Sequence, residues 1–184
     1  MPDSISLGFD TSAASCAAAL VSGDRVIASR VEAMTKGQAE RLFPLIEELL
    51  AEAGLAWRDL SVIGVGTGPG NFTGIRIAVA AARGLSLSLG IPAIGIGATE
   101  AAAYGLPRPC RIVLPLRADQ VVWQDFDGSD SRPQQATEGT LPPGPPVAEA
   151  RVPAAEAIAR LALSRRTEYL PRPAPIYLRP ADAA

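Results

Sequence analysis

The sequence predicts a two-lobed α/β protein, with mixed sheets, helices on their faces, and a second lobe shorter than the first. Three observations carry this. Segments with strand and helix character run β-β-β-α-β-α-β-α over the first hundred residues, so hairpins come first and crossovers later. Thirteen of the 17 prolines lie at or after Pro107, whereas most glycines precede it. The segment YGLPRP, Tyr104 to Pro109, breaks regular structure between these two compositions. The first lobe is therefore drawn over residues 1–104 and the second over 105–184. A chain of 184 residues can bury a real core without disulfides or metals.

ISLGFDTS reads as a short strand ending in a polar Asp-Thr-Ser turn. SCAAALVSGDRVIASRVEAM reads as two strands around Ser22-Gly23-Asp24, a hairpin turn signal. Leu42, Leu45, Ile46, Leu49 and Leu50 recur at helical spacing, which predicts a helix over Gly37–Ala53 with Gly54 as its C-cap. Pro44 lies inside that pattern and predicts a kink or a later start. The apolar run SVIGVGTG is a strand buried on both faces. A Gly-Pro-Gly turn then opens a helix over Thr73–Leu89, followed by the strand IPAIGIGA and a short helix in ATEAAAYG. Beyond the boundary, CRIVLPLRADQVVWQDFDG predicts two strands with a turn near Ala118-Asp119. Ser129–Val147, rich in Pro, Gly, Ser and Gln, predicts a long surface loop. VPAAEAIARLAL predicts a helix with Ala155, Ile158, Ala159 and Ala162 on one face, and RPAPIYLRPADAA an extended tail.

Composition excludes several functions. A net charge of −2 argues against nucleic-acid binding by bulk electrostatics. The chain has no histidine, which removes His-based zinc sites, Ser-His-Asp triads and Cys-His dyads. Cys16 and Cys110 are far apart and in no metal spacing, as expected of inert thiols in a reducing cytosol. The N-terminus lacks a basic stretch followed by an apolar one, so no signal peptide is expected. Ile75 to Ile96 carries Arg76, Arg83 and Pro92, so no membrane span is expected either.

The loop GTGPGNFTGIRI resembles a phosphate cradle. A P-loop needs a lysine after its last glycine, and the only lysine here is Lys36. Gly68-Pro69-Gly70-Asn71-Phe72-Thr73-Gly74 also misses the Rossmann spacing by one residue. The spacing supports a tight turn into a helix, capped by Asn71 or Thr73. An anion at the free amides of that helix start is the other reading. Along the helix two small-residue series repeat every fourth position: Gly74, Ala78 and Ala82, and Ala80, Gly84 and Ser88. A helix that is small or apolar nearly all round is buried, in its own lobe or against a partner.

LGFDTS, GQAERLFPLIEELLAEAG, GTGPGNFTGIRIAVAAARGLSLSLGIPAIGI and the tail PIYLRP together resemble the TsaB (YeaZ) family. The resemblance is dense over Ser6–Glu100 and returns in the last dozen residues. It implies an actin-like, Hsp70-like (ASKHA) fold and a cytoplasmic, noncatalytic accessory role in threonylcarbamoyladenosine modification of tRNA. The implied partners are the catalytic paralogue TsaD, as a heterodimer, and the TsaE ATPase. Transfer RNA is met only through the complex, and the same surface can form a homodimer. The resemblance implies no cofactor and no membrane. The two metal-binding histidines of TsaD fall on Ala98 and Ala102, so no metal and no catalytic residue are expected.

The resemblance also places a partner face on the two first-lobe helices, with Leu42, Phe43, Ile46, Gly74, Ala78 and Ala82 as its candidates. Asp10, Thr11 and Ser12 match the first phosphate loop of ASKHA enzymes; they are either a structural turn or a vestigial nucleotide contact. The alternative function is an ASKHA ATPase or phosphotransferase using Asp10 and Thr11. Glu40 and Glu100 read as surface carboxylates. The second lobe is shorter than usual for the family and departs from its pattern, with Pro115 and Gln120 where acidic residues are usual and Arg117 kept.

Overall fold

The computed structural model describes residues 4–129 and 131–178. Its first sheet has five strands in the order β3-β2-β1-β4-β5. β1 (Ile5–Asp10), β2 (Ser15–Ser22) and β3 (Arg25–Ala33) form an antiparallel meander. β4 (Leu60–Gly66) and β5 (Ala93–Ile96) add in parallel, each after a crossover helix. This is the hairpins-then-crossovers order that the sequence predicts. Gly23, with φ 55°, makes the tight β2–β3 turn.

α1 (Gln38–Glu52) and α2 (Phe72–Leu89) cover one face of this sheet. α1 runs through Pro44, which faces solvent, where the lost hydrogen bond to the preceding turn costs least. Leu7, Phe9, Leu20, Leu42, Leu45, Ile46, Leu49 and Ile63 fill the layer between helices and sheet. A single 3₁₀ turn, Trp57–Asp59, which the sequence pattern had not indicated, leads into β4.

α3 (Ala98–Ala102) follows β5, and the second sheet is antiparallel β6 (Cys110–Pro115), β7 (Gln120–Phe126) and β8 (Gln134–Thr137). β8 lies inside the segment read as loop. Its sequence QQAT has no apolar alternation, because it is an edge strand with no buried face. The proline-rich stretch after it is anchored at Arg111. That buried guanidinium makes a bidentate pair with Asp125 (2.5 and 2.8 Å), stacks over Trp123 and donates to the Pro142 carbonyl.

α4 (Ala154–Ser164) packs on the other face of the first sheet, against β1, β2 and β4. The boundary expected at residue 104 therefore does not bound the first sheet's packing, since the helix closing its second face comes from beyond it. Its predicted face holds: Ala155, Ile158, Ala159 and Ala162 are all buried. Two strand glycines let α4 sit close. A Cβ on Gly8 would meet the Ala155 carbonyl and the Ala159 backbone, and one on Gly64 would meet the Ile158 carbonyl, all under 3.0 Å.

On β1, the Ser6 hydroxyl is buried with no hydrogen-bond partner among the described residues. An orphaned hydroxyl costs about 1–3 kcal/mol. Ser6→Ala is therefore expected to stabilise the chain by about 1 kcal/mol, read as a rise of about 2–4 °C in thermal midpoint. A midpoint at or below wild type would show that the hydroxyl is satisfied.

Candidate functional site

The end of β1, the Gly-Pro-Gly loop and the start of α2 form one packed unit. The Ser12 amide donates to Asp10 Oδ1 at 2.8 Å, and the Ser12 hydroxyl donates to Asp10 Oδ2 at 3.0 Å. The Thr11 hydroxyl, fully buried, donates to the Gly74 carbonyl at 2.6 Å. The Asn71 amide donates to the Ser12 carbonyl at 2.7 Å, while Asn71 Oδ1 caps α2 by accepting from Gly74 N–H at 2.9 Å. All three residues of the Asp-Thr-Ser turn are thus occupied by the turn itself or by α2.

The glycines explain why these segments fit. A Cβ on Gly66 would run into Asp10, one on Gly70 into Ser12, and one on Gly74 into the Thr11 carbonyl. Gly66, Gly70 and Gly74 are four residues apart, a spacing that sequence reading missed because Gly66 was counted with the strand. Gly68 has φ 84° and begins the loop's turn. The loop is therefore shaped to receive the β1 turn.

Burial pushes the Asp10 carboxyl above the usual carboxylate range, outweighing the hydrogen bonds from Ser12. The folded chain therefore holds this proton more tightly than the unfolded chain. Its contribution to stability is greatest below the unfolded carboxylate range and falls as pH rises through the raised folded value. Asparagine keeps an acceptor for the Ser12 amide and offers an N–H to its hydroxyl. Asp10→Asn is expected to melt no lower than wild type at neutral pH and to lose that decline. Thermal melts from acid to neutral pH would show the reverse if the carboxylate were structurally required.

Between the two sheets lies a cleft of about 840 Å3. Ser12, Gly70, Asn71 and Phe72 line one side, and Pro115, Arg117, Gln120 and Gln135 from the β6–β7–β8 sheet the other. Ala118, with φ 51°, makes the hairpin turn at the cleft edge, where Arg117 is exposed. Ile176 and Tyr177 of the tail complete the wall. The remaining residues of the PIYLRP motif, Arg179 and Pro180, lie outside the described residues.

The partner-face candidates divide sharply. Leu42, Ile46, Ala78 and Ala82 are 0–1% exposed and belong to the core beneath α1 and α2. Gly74 is buried against Thr11. Of the six, only Phe43 is exposed, at 41%, beside Trp57. The small-residue series that faces out is the other one. Ile75, Val79 and the Gly74–Ala78–Ala82 series turn inward, so Ala80, Gly84 and Ser88 are exposed together with Thr73 and Leu87. Leu87 is 85% exposed, and among the described residues a Cβ added at Gly84 would point into open space.

By length and hydropathy α2 is long and apolar enough to cross a membrane, but its inner face is committed to the sheet. Ala102 packs with Ala103, Leu106, Cys110 and Ile112, while Ala98 opens α3. Glu100 pairs with Arg165, and Glu40 is exposed. Cys16 is fully buried, which pushes its thiol up to about 11 and leaves it a poor nucleophile.

A family model described as "TsaD: tRNA N6-adenosine threonylcarbamoyltransferase" matches residues 26–173. An uncharacterized protein of Mycobacterium tuberculosis is 31% identical over 174 residues, 86% of this chain and 82% of that protein. The tRNA threonylcarbamoyladenosine biosynthesis protein TsaB of Bacillus subtilis is 38% identical over 122 residues, 66% of this chain. That match spans 46% of the Bacillus protein, less than half of its length. The solved structure of YeaZ from Pseudomonas aeruginosa superposes with a TM-score of 0.74 at 26% identity, covering 95% of this chain and 100% of YeaZ.

Proposed function

The chain belongs to the TsaB (YeaZ) family, and on that premise we propose that it is a noncatalytic accessory subunit that binds TsaD. In this role it supports threonylcarbamoyl transfer to adenosine of tRNA, in the cytoplasm, with the TsaE ATPase as a third component. The observation that carries the reading is the open face of α2. Thr73, Ala80, Gly84 and Leu87 form a small and apolar strip on a helix whose opposite face is already buried. Small residues let a partner helix approach closely, and Leu87 supplies apolar area to bury. Phe43 on α1 offers an aromatic anchor on the same layer. The same face serves a homodimer when TsaD is absent.

The alternative, an ATPase using Asp10 and Thr11, is disfavoured by their hydrogen bonds. Both Asp10 oxygens accept from Ser12, and the Thr11 hydroxyl is spent on Gly74. Co-purification with TsaD, followed by tRNA modification with and without this chain, tests the reading. Complex formation and chain-dependent modification are expected. Mg-ATP turnover by the chain alone, lost in Asp10→Ala, would establish the alternative instead.

A further inference from the structure

Arg76 and Arg83 lie on one flank of α2, and among the described residues neither pairs with a carboxylate. Arg30, Arg41, Arg111 and Arg165, by contrast, each do. Arg76 Nε donates to the Tyr177 hydroxyl at 2.9 Å, and its guanidinium lies 3.8 Å from the Phe72 ring centroid. Arg83 Nε donates to the Pro173 carbonyl at 2.7 Å. Both acceptors are neutral, and both belong to the tail segment 173–178. That segment forms a strap across α2 and the end of β4, where the Ile176 amide donates to the Thr67 carbonyl at 2.8 Å. Ile176 lines the 840 Å3 cleft and also a second cavity of about 290 Å3 beside Thr67, Thr99 and Gln124. Ile176 of the strap thus borders both cavities, and arginines at the edge of the partner face hold the strap.

We infer that this flank docks a carboxylate-bearing segment of the partner, and that capture of Arg76 and Arg83 releases the strap and joins the two cavities. The inference rests on the partner role proposed above, because the arginines border the Ala80–Gly84–Leu87 strip. A carboxylate adds an opposite charge and a second, parallel hydrogen bond to the guanidinium fork, neither of which a tyrosine hydroxyl or a peptide carbonyl can offer, so a partner carboxylate displaces them. With both donors withdrawn, the strap keeps the Ile176–Thr67 bond, the buried Pro173 beside Gly95, and the Phe72–Tyr177 contact, whose ring centroids are 5.3 Å apart. Segments held by so few bonds open locally without global unfolding.

The test mixes the full chain with TsaD, follows complex formation by size exclusion at several salt concentrations, and follows amide exchange over residues 174–178. Binding of the wild type is expected to weaken with salt, and an R76Q/R83Q variant to lose most of that dependence while binding roughly tenfold more weakly. The Ile176 amide, held on the Thr67 carbonyl in the free chain, is expected to exchange faster in the complex. In free R76Q/R83Q it is expected to exchange fast already, with β4 amides unchanged. A complex whose strap exchanges no faster than the free chain's overturns the inference and leaves the partner reading standing. Equal salt dependence in wild type and variant overturns it in the same way. Failure of the well-folded chain to bind TsaD at all overturns both.

Discussion

Glutamate at Ala78 is expected to destabilise the chain severely, whereas glutamate at Gly84 is expected to leave it folded and unable to bind TsaD. The two positions lie on the same helix, six residues apart in sequence, in the two small-residue series. Ala78 is 0% exposed and packs in the core shared with Leu42, Ile46 and Ile63. A carboxylate there has neither room nor a counter-charge, at a cost of about 4 kcal/mol or more out of a total stability of about 5–15 kcal/mol. Gly84 is exposed with open space around it, and glutamate is a better helix former than glycine by roughly 0.5–1 kcal/mol. The folded state of Gly84→Glu should therefore be at least as stable as wild type. At the partner interface the same carboxylate is desolvated and unpaired, a loss of about 2–5 kcal/mol in binding. Thermal melts report the fold and co-purification reports the complex. If Gly84→Glu still bound TsaD as tightly as wild type, the open face of α2 would not be the interface.

Alanine at Gly8 is expected to destabilise the chain by about 3 kcal/mol, although a single methyl is added to a strand. The methyl would point into the backbone of α4, at the Ala155 carbonyl and the Ala159 amide, and backbone cannot rotate away as a side chain can. The helix would have to rise off the sheet, opening the layer that holds Val62, Ile94, Ile96 and Ile158. Gly84→Ala is the internal control: the same substitution in open space on a helix should stabilise by about 1 kcal/mol. Chemical denaturation of both variants separates the two cases. A Gly8→Ala chain as stable as wild type would show that α4 is not seated directly on β1.

The first sheet was legible because its strands carry apolar runs and its hairpin a glycine turn. α1 and α2 were legible from the recurrence of leucine and of small residues. β8 was not, because an exposed edge strand of QQAT has no pattern to read. Asp10 was only half legible. An Asp-Thr-Ser turn suits a phosphate loop and a self-satisfied turn equally, and the hydrogen bonds to Ser12 distinguish them. Arg76 and Arg83 were visible as residues that spoil a membrane span. Their common hold on the tail, ninety residues or more away, was not.

By itself the sequence determined the order of the strands and helices that build the first sheet, the absence of histidine chemistry, and the presence of two small-residue stripes on one helix. Tertiary structure decided which stripe is buried. Spacing fixes where residues lie relative to one another on a helix, but not how the helix is turned about its axis. Here that rotation is set by Gly74 wedged against the Thr11 carbonyl and by Ile75 and Val79 facing inward, contacts with strands far away in sequence. The same holds for α4. Its apolar face was readable, but the surface that receives it exists only once Gly8 and Gly64 lie side by side on neighbouring strands.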